Sequence, residues 1–296
     1  MQAQILKGER GWLWLAAGLR LYRKNPIMLS LIMMNYFLTI IFLMSIPSIL
    51  GSILLSLALV ILNVGIMNAC KALDDAAPFN LLTLYSALAN PGSAMLRNLL
   101  MLGGLYLLYS MLAMGLTALI DGGALYGVFS RPQATGSTAL QIPLASLAML
   151  LALMLPAIMA WWFAPVLCAW HNLGVAKALF FSLYALWRNW RSFLAYGVTI
   201  MFWGILIPSV VSTLLMLIVP GAANYVSIMM VFILLLYFAP VMFASIYVGY
   251  CEIFTPSVEA LEDGETEPAP PAGANALAAP TSPDKPAADA ATSKDD

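Results

Sequence analysis

Three long stretches of this chain carry no Asp, Glu, Lys or Arg: residues 25–70, 132–176 and 192–251. A hydrocarbon core about 30 Å thick takes roughly 20 helical residues to cross, so each stretch holds at most two spans. The first and third hold two each. The second holds one, and a further span fits between Arg97 and Asp121. Six membrane-crossing helices are expected, at 27–45, 49–70, 99–120, 144–165, 193–219 and 225–250. Composition agrees: 62% of residues are hydrophobic and 9% charged, with mean hydropathy +0.90. Soluble domains have roughly 45–50% apolar and about 25% charged residues.

In lipid every backbone polar group must find an internal partner, and these runs lack the alternation of a barrel strand. The fold class predicted is therefore all-α, a polytopic membrane bundle of six transmembrane helices in three hairpins with cytoplasmic amphipathic helices. Residues 1–26 read as a cytoplasmic interfacial segment, 27–255 as the transmembrane domain and 256–296 as an acidic tail. Pro47 and Pro220-Gly221 sit where tight turns close the first and third hairpins. Pro156, Pro208 and Pro240 fall inside spans and predict kinks.

The basic residues set an orientation. With the N-terminus in the cytoplasm, Lys7, Arg10, Arg20, Arg23, Lys24, Lys71, Arg97, Lys177, Arg188, Arg191, Lys285 and Lys294 are all inside and only Arg131 is outside. That bias satisfies the positive-inside rule and puts both termini in the cytoplasm. The N-terminal "KGERGWLWLAAGLRLYRKNP" has basic residues before a short apolar run, yet Arg20, Arg23 and Lys24 follow at once without a small-residue cleavage site, which excludes a cleaved signal. Cys70, Cys168 and Cys251 form no disulfide framework and lack ligand spacing, so no metal is expected.

Two patterns suggest an internal repeat. The word "FAPV" occurs at Phe163–Val166 and at Phe238–Val241, each time in the returning helix of a hairpin, with Pro165 near the cytoplasmic end and Pro240 nearer mid-span. Both prolines are candidate helix kinks. Independently, "LYRKNP", "LYSALANP" and "LYALWRNW" precede the three outgoing helices, each a Leu-Tyr pair followed by an Asn. Asn tolerates the left-handed conformation and Pro restricts the residue before it, so these words end a helix and turn the chain. The unit inferred is an amphipathic helix, an Asn stop, an outgoing helix, a turn and a returning helix, three times over.

The linker 173–191 is the clearest surface helix, with Lys177, Phe181, Tyr184, Arg188 and Arg191 at helical spacing and Leu and Trp residues on the other side. Arg20, Arg23, Lys24, Arg97, Lys177, Arg188 and Arg191 are the candidate contacts to anionic lipid headgroups, each worth about 1 kcal/mol near such a surface. The commoner role for such residues is to anchor topology. The tail carries nine acidic residues against Lys285 and Lys294 and reads as a disordered segment able to take a protein partner.

Groups for catalysis are sparse. The lone His171 lies at the membrane edge with no carboxylate close in sequence, and Asp74 and Asp75, being adjacent, point about 100° apart on a helix; they read as caps of a helix at 81–88. No phosphate-loop, dinucleotide-binding, zinc or serine-elbow motif is present, so no enzymatic activity, no cofactor and no nucleic-acid partner are expected. The proposed spans hold no Asp, Glu, Lys, Arg or His, which argues against proton coupling.

At "GWLWLAAGLRLYRKNP", "ALANPGSAMLRN" and "FAPVLCAWHNLGVAKALFFSLYALWRNW" the chain resembles a family of uncharacterised proteobacterial multi-pass inner-membrane proteins. It is more distantly similar to the membrane domain beside glycerophosphodiester phosphodiesterase catalytic domains. The matching elements are Phe163 to Pro165, Gly174, Lys177 to Ser182 and Arg188-Asn189, and the resemblance reaches to about residue 255. It implies a multi-helix bundle in the bacterial inner membrane and carries no activity, since the catalytic domain is absent. A scaffold, accessory or lipid-interacting role is the reading that follows, with a small-molecule or lipid transporter as its rival.

Overall fold

The computed structural model describes residues 4–47, 49–130, 143–218, 221 and 223–254. Arg131, Pro220 and the tail at 256–296 lie outside the described residues. Helix α1 (Arg10–Lys24) leads into α2 (Pro26–Met44) and α3 (Ile49–Asp74). A 3₁₀ helix (Leu81–Leu88) precedes α4 (Ala94–Asp121), the short α5 (Ala124–Ser130), α6 (Leu144–Trp161) and α7 (Ala164–His171). The last unit is α8 (Val175–Arg188), α9 (Trp190–Met201), α10 (Ile207–Ile218), α11 (Ala223–Ile233) and α12 (Ala239–Phe254). A π turn at Phe202–Leu206 joins α9 to α10, and another at Leu234–Phe238 joins α11 to α12.

Six helical stretches are long and apolar enough to cross a bilayer: Pro26–Met44, Ile49–Asp74, Ala94–Asp121, Leu144–His171, Trp190–Ile218 and Tyr225–Phe254. The described residues contain no strand, and the fold is an all-α polytopic bundle. Helix ends differ from the hydropathy limits where local chemistry intervenes. Helix α4 starts at Ala94 because the Ser93 hydroxyl accepts from the Leu96 amide at 3.1 Å. At its other end Gly122 and Gly123 take φ of 63° and 84°, and the Asp121 carboxylate accepts from the Gly123 and Leu125 amides. The pair Asp74 and Asp75 does not cap the segment at 81–88, which is 3₁₀ rather than α and has Asn80 as its N-cap, whose amide donates to the Thr83 hydroxyl at 3.1 Å. Asp74 ends α3 instead.

The three amphipathic segments are arranged cyclically. The 3₁₀ helix of the second unit packs on α3, the returning helix of the first. Helix α8 of the third unit packs on α6 and α7 of the second, and α1 of the first packs on α12 and α9 of the third, closing the ring. Small residues allow these contacts. A Cβ on Gly18 would run into the backbone of Ser245 on α12, and one on Gly65 of α3 would strike the Leu84 backbone of the 3₁₀ helix. In α8 the equivalent place is held by Ser182, which is fully buried.

Burial gives the repeat its register. Trp14, Gly18, Leu21 and Tyr22 are buried in α1, and Ala178, Ser182, Ala185 and Leu186 are buried in α8, at the same distances from Asn25 and Asn189. The Leu-Tyr words are therefore not equivalent: Leu21 and Tyr22 are buried while Tyr184 is exposed. Asn is the shared element. The Asn25 side chain accepts from the Met28 amide at 3.2 Å, and Asn189 accepts from the Leu6 amide at 2.8 Å while donating to the Gln4 and Ala185 carbonyls. The N-terminal segment is thus built into the bundle, with α1 wedged between α9 and α12 and Trp14 only 2% exposed.

The two FAPV words also fall at different levels of that register. Ser182 donates to the Met159 carbonyl and accepts from the Phe163 amide, at 2.9 and 3.0 Å. Its hydroxyl stands in for the helical hydrogen bond broken where α6 gives way to α7, just before Pro165. Gly18 meets α12 at Ser245, seven residues beyond Phe238. Around Pro240 the repair is different: its missing N–H leaves the Leu236 carbonyl without a helical donor, and Ser30 Oγ on α2 supplies one at 2.6 Å. Tyr109 donates to the Leu153 carbonyl in the turn before Pro156, at 2.6 Å.

Candidate functional site

At the end of the bundle that carries α1 and the C-terminus of α12, polar side chains collect where the units meet. The Gln4 amide donates to the Ile253 carbonyl, so both described chain ends lie there. Glu252 accepts from Arg10 at 3.1 Å and from the indole of buried Trp14 at 2.9 Å. Lys24 pairs with Asp74 at 2.9 Å, and Tyr247 donates to the other Asp74 oxygen at 3.3 Å. Asn68 accepts from the Trp170 indole at 2.7 Å and donates to Ser86, tying α7, α3 and the 3₁₀ helix together. Lys71 lies 5.1 Å above the Trp170 ring.

Apart from the Lys24–Asp74 pair, which lies within the first unit, these links join different units, and each polar group has a partner. That is the pattern of interhelical fasteners. His171 is 2.8 Å from the Tyr250 hydroxyl, and no carboxylate among the described residues is hydrogen-bonded to it. Cys70 and Cys168 are buried and Cys251 half-buried, and no three His, Cys, Asp or Glu among the described residues come together as a metal site.

Around the same end lie the basic side chains picked out by topology. Arg20 and Arg23 are exposed on α1, and no carboxylate among the described residues pairs with them. Lys24 is taken by Asp74. Arg188 donates to the Tyr184 hydroxyl and lies over its ring, and Arg191 lies 5.5 Å from the Trp190 ring. Arg97 and Lys177, 80 positions apart, line one open cavity of about 790 Å³ between α4 and α8, together with Asn98, Met101, Leu105 and Leu179. The Asn98 side chain donates to the Leu173 carbonyl at 3.2 Å, which clamps the turn before α8 against α4 and sets Lys177 across from Arg97.

A second cavity, about 460 Å³, lies against the third hairpin between α1 and the two π turns. Trp12, Leu19, Thr199, Trp203, Tyr237 and Phe238 are among its lining residues, none of them charged. The π turns face one another, since a Cβ on Gly204 would meet the Phe238 ring. Each ends two residues before a proline, Pro208 or Pro240, where the missing donor and the ring's steric demand widen the helix. Hydropathy alone gives no sign of this slot; the spacing of Pro208 and Pro240 behind Gly204 and Phe238 was the available signal.

A probable inner membrane protein of Burkholderia thailandensis is 35% identical to this chain over 203 residues, which cover 67% of this chain and 74% of that protein. No family model matches the sequence. No solved structure matches it either. With six apolar helices in the fold and identity across most of both chains, the protein is an integral membrane protein that belongs to the family of this bacterial inner-membrane protein.

Proposed function

We propose that this protein is a membrane-embedded scaffold or accessory protein that works through the face bearing its termini, in contact with anionic lipid headgroups. The observation that carries the reading is the cyclic closure of the three units at that face, surrounded by exposed basic side chains. Aromatic rings fill the place where α1, α7, α9 and α12 meet: Trp14 lies 5.2 Å from Phe193, and Phe163 lies 5.5 Å from Tyr250 and 5.6 Å from Phe254. A transport path through the bundle needs polar lining or an opening there, so this packing favours a scaffold over a channel. A cytoplasmic position for that face is supported by the positive-inside rule, since the six-span topology puts twelve of thirteen basic residues on one side. Among the described residues no carboxylate orients His171 as a base, which favours a non-enzymatic role.

The test is reconstitution of the full chain into vesicles of phosphatidylcholine alone or mixed with phosphatidylglycerol. Higher thermal stability with the anionic lipid and no solute efflux are expected; efflux with no lipid preference would overturn the reading. A fluorescent-protein fusion at the C-terminus that lights up in the cytoplasm is the matching orientation result, and a periplasmic reporter signal there would reverse it.

The slot between the π turns favours one alternative, a facilitator for an apolar small molecule, because π turns recur at functional sites. Uptake of such a molecule by protein-bearing vesicles, abolished by Gly204→Phe, is its signature.

A further inference from the structure

We infer that the cavity between α4 and α8 is a binding site for one anionic phospholipid, its phosphate between Arg97 and Lys177 and an acyl chain along Met101, Leu105 and Leu179. This rests on the lipid-interacting reading above and assigns it a site and a ligand class.

Four observations converge. Arg97 and Lys177 come from different units and are both exposed, and neither is paired with a carboxylate among the described residues, so their positive charge is available to a ligand. Below them the lining is apolar: Met101 and Leu105 follow Arg97 on α4 at intervals of four residues, the spacing of one helix face. Charge at one end and hydrocarbon along the rest match the two halves of a phospholipid. Third, Val175, Ala176 and Lys177 form the first turn of the 14-residue helix α8, where the Gly174 carbonyl takes its first hydrogen bond from Ala178. The first-turn amides have no helical acceptor and add positive potential to the same wall. Fourth, the hydrogen bond from Asn98 to the Leu173 carbonyl fixes the two walls, so the site is preorganised.

Charge selects the occupant. A zwitterionic headgroup brings its own ammonium against two cations, whereas phosphatidylglycerol brings a net negative charge, and free phosphate leaves the apolar wall unused. Residues near an anionic surface are each worth about a fivefold change in binding, so losing both removes roughly 25-fold.

The full-length protein, purified in mild detergent, is titrated with phosphatidylglycerol and with phosphatidylcholine and read by native mass spectrometry. Wild type is expected to hold one phosphatidylglycerol in strong preference to phosphatidylcholine. Arg97→Gln with Lys177→Gln should lower that occupancy about 25-fold, while Lys7→Gln with Lys285→Gln, an equal loss of charge outside the candidate headgroup contacts, leaves it within twofold. Leu105→Trp, which fills the trough and keeps both charges, should also lower it, and it carries the test if the double charge variant does not fold.

Equal loss in both charge pairs would overturn the site while leaving the broader lipid-interacting reading intact, because it would mean attraction to the whole basic face. Unchanged occupancy in the Arg97/Lys177 pair, or displacement of the lipid by inorganic phosphate alone, would also overturn it. No preference for phosphatidylglycerol in any variant would overturn both the site and that reading.

Discussion

Helices α10 and α12 belong to the same hairpin and are both strongly apolar, yet α10 buries none of its residues and α12 buries ten. The composition of the two explains the difference. Helix α10 is mostly Leu, Val, Ile and Met, and its hydroxyls close on their own helix: Ser212 and Thr213 both donate to the Ser209 carbonyl. Helix α12 interleaves Ala, Ser and Gly with Tyr. Its Ser245 lies 2.6 Å from the Tyr196 hydroxyl on α9 and against Gly18 on α1, and its Gly249 lies under the Trp14 ring. In a bilayer, lipid tails are as apolar as Leu, so hydrophobicity does not separate inside from outside; small residues and cross-helix hydrogen bonds do. The part of the molecule nearest the termini is a packed, polar-stitched body. The exposed apolar side chains of α10 and α11 face the bilayer.

That contrast can be broken at several points, and the largest effect is expected at Gly18. Gly18→Leu forces a side chain into the Ser245 backbone and should lower stability in detergent by about 3 kcal/mol or prevent assembly, an overpacking cost. Gly115→Leu, at an exposed position of α4 with no neighbouring atoms in reach, should change stability by less than about 0.5 kcal/mol. Similar thermal midpoints for the two variants would remove the distinction between a packed and a lipid-facing region.

Ser182→Ala comes next. It leaves the Met159 carbonyl and the Phe163 amide unpaired at a buried break in the helix, at a cost of about 2 kcal/mol. Ser212→Ala in α10 is its lipid-facing counterpart and should be neutral within about 0.5 kcal/mol.

Glu252 sharpens the comparison on a smaller scale. Its ion pair with Arg10 is partly exposed, with side-chain exposures of 24% and 47%, so Arg10→Gln should cost only a few tenths of a kcal/mol and lose even that at high salt. Glu252→Ala also strands the buried Trp14 indole and should cost about 1 kcal/mol, insensitive to salt. Equal, salt-dependent losses in both would mean that the ion pair and not the indole bond fixes α1 to α12.

How much of this was legible in the sequence follows from the same physics. The charge-free runs reported six helices, five in the three runs of forty or more positions and one between Arg97 and Asp121, because a long missing charge admits few folds; the ends moved where Ser93 or Asp121 added local hydrogen bonds and where α3, α7, α9 and α12 run past the apolar limits. The repeat was visible through Asn25 and Asn189, whose side chains cap or anchor, whereas FAPV and the Leu-Tyr words misplace the register because Leu, Tyr, Phe and Ala are common in any apolar helix. The convergence of Arg97 with Lys177 was out of reach: it depends on how α8 lies across α4, set by Ser182 and Asn98, and nothing in the spacing of two residues 80 apart encodes that.

The smallest expected effect tests how this fold repairs its prolines. Pro240 withholds the amide that would bond the Leu236 carbonyl, and Ser30 of α2 supplies the near donor at 2.6 Å, with the Tyr22 hydroxyl of α1 farther off at 3.4 Å. Ser30→Ala should cost about 0.6 kcal/mol, the average for an interhelical hydrogen bond in a membrane protein. Pro240→Ala alone restores a helical donor to a carbonyl already served and should change little. In the Ser30→Ala background the same change should recover most of the loss, since residue 240 then donates to Leu236 within the helix. Thermal unfolding of the four proteins closes this cycle: additive effects would mean that the Tyr22 hydroxyl serves the Leu236 carbonyl once Ser30 is gone or that Ser30 acts through packing, while a coupling close to the full single-variant loss identifies the Ser30 bond to the Leu236 carbonyl as the point where the first hairpin is fastened to the third.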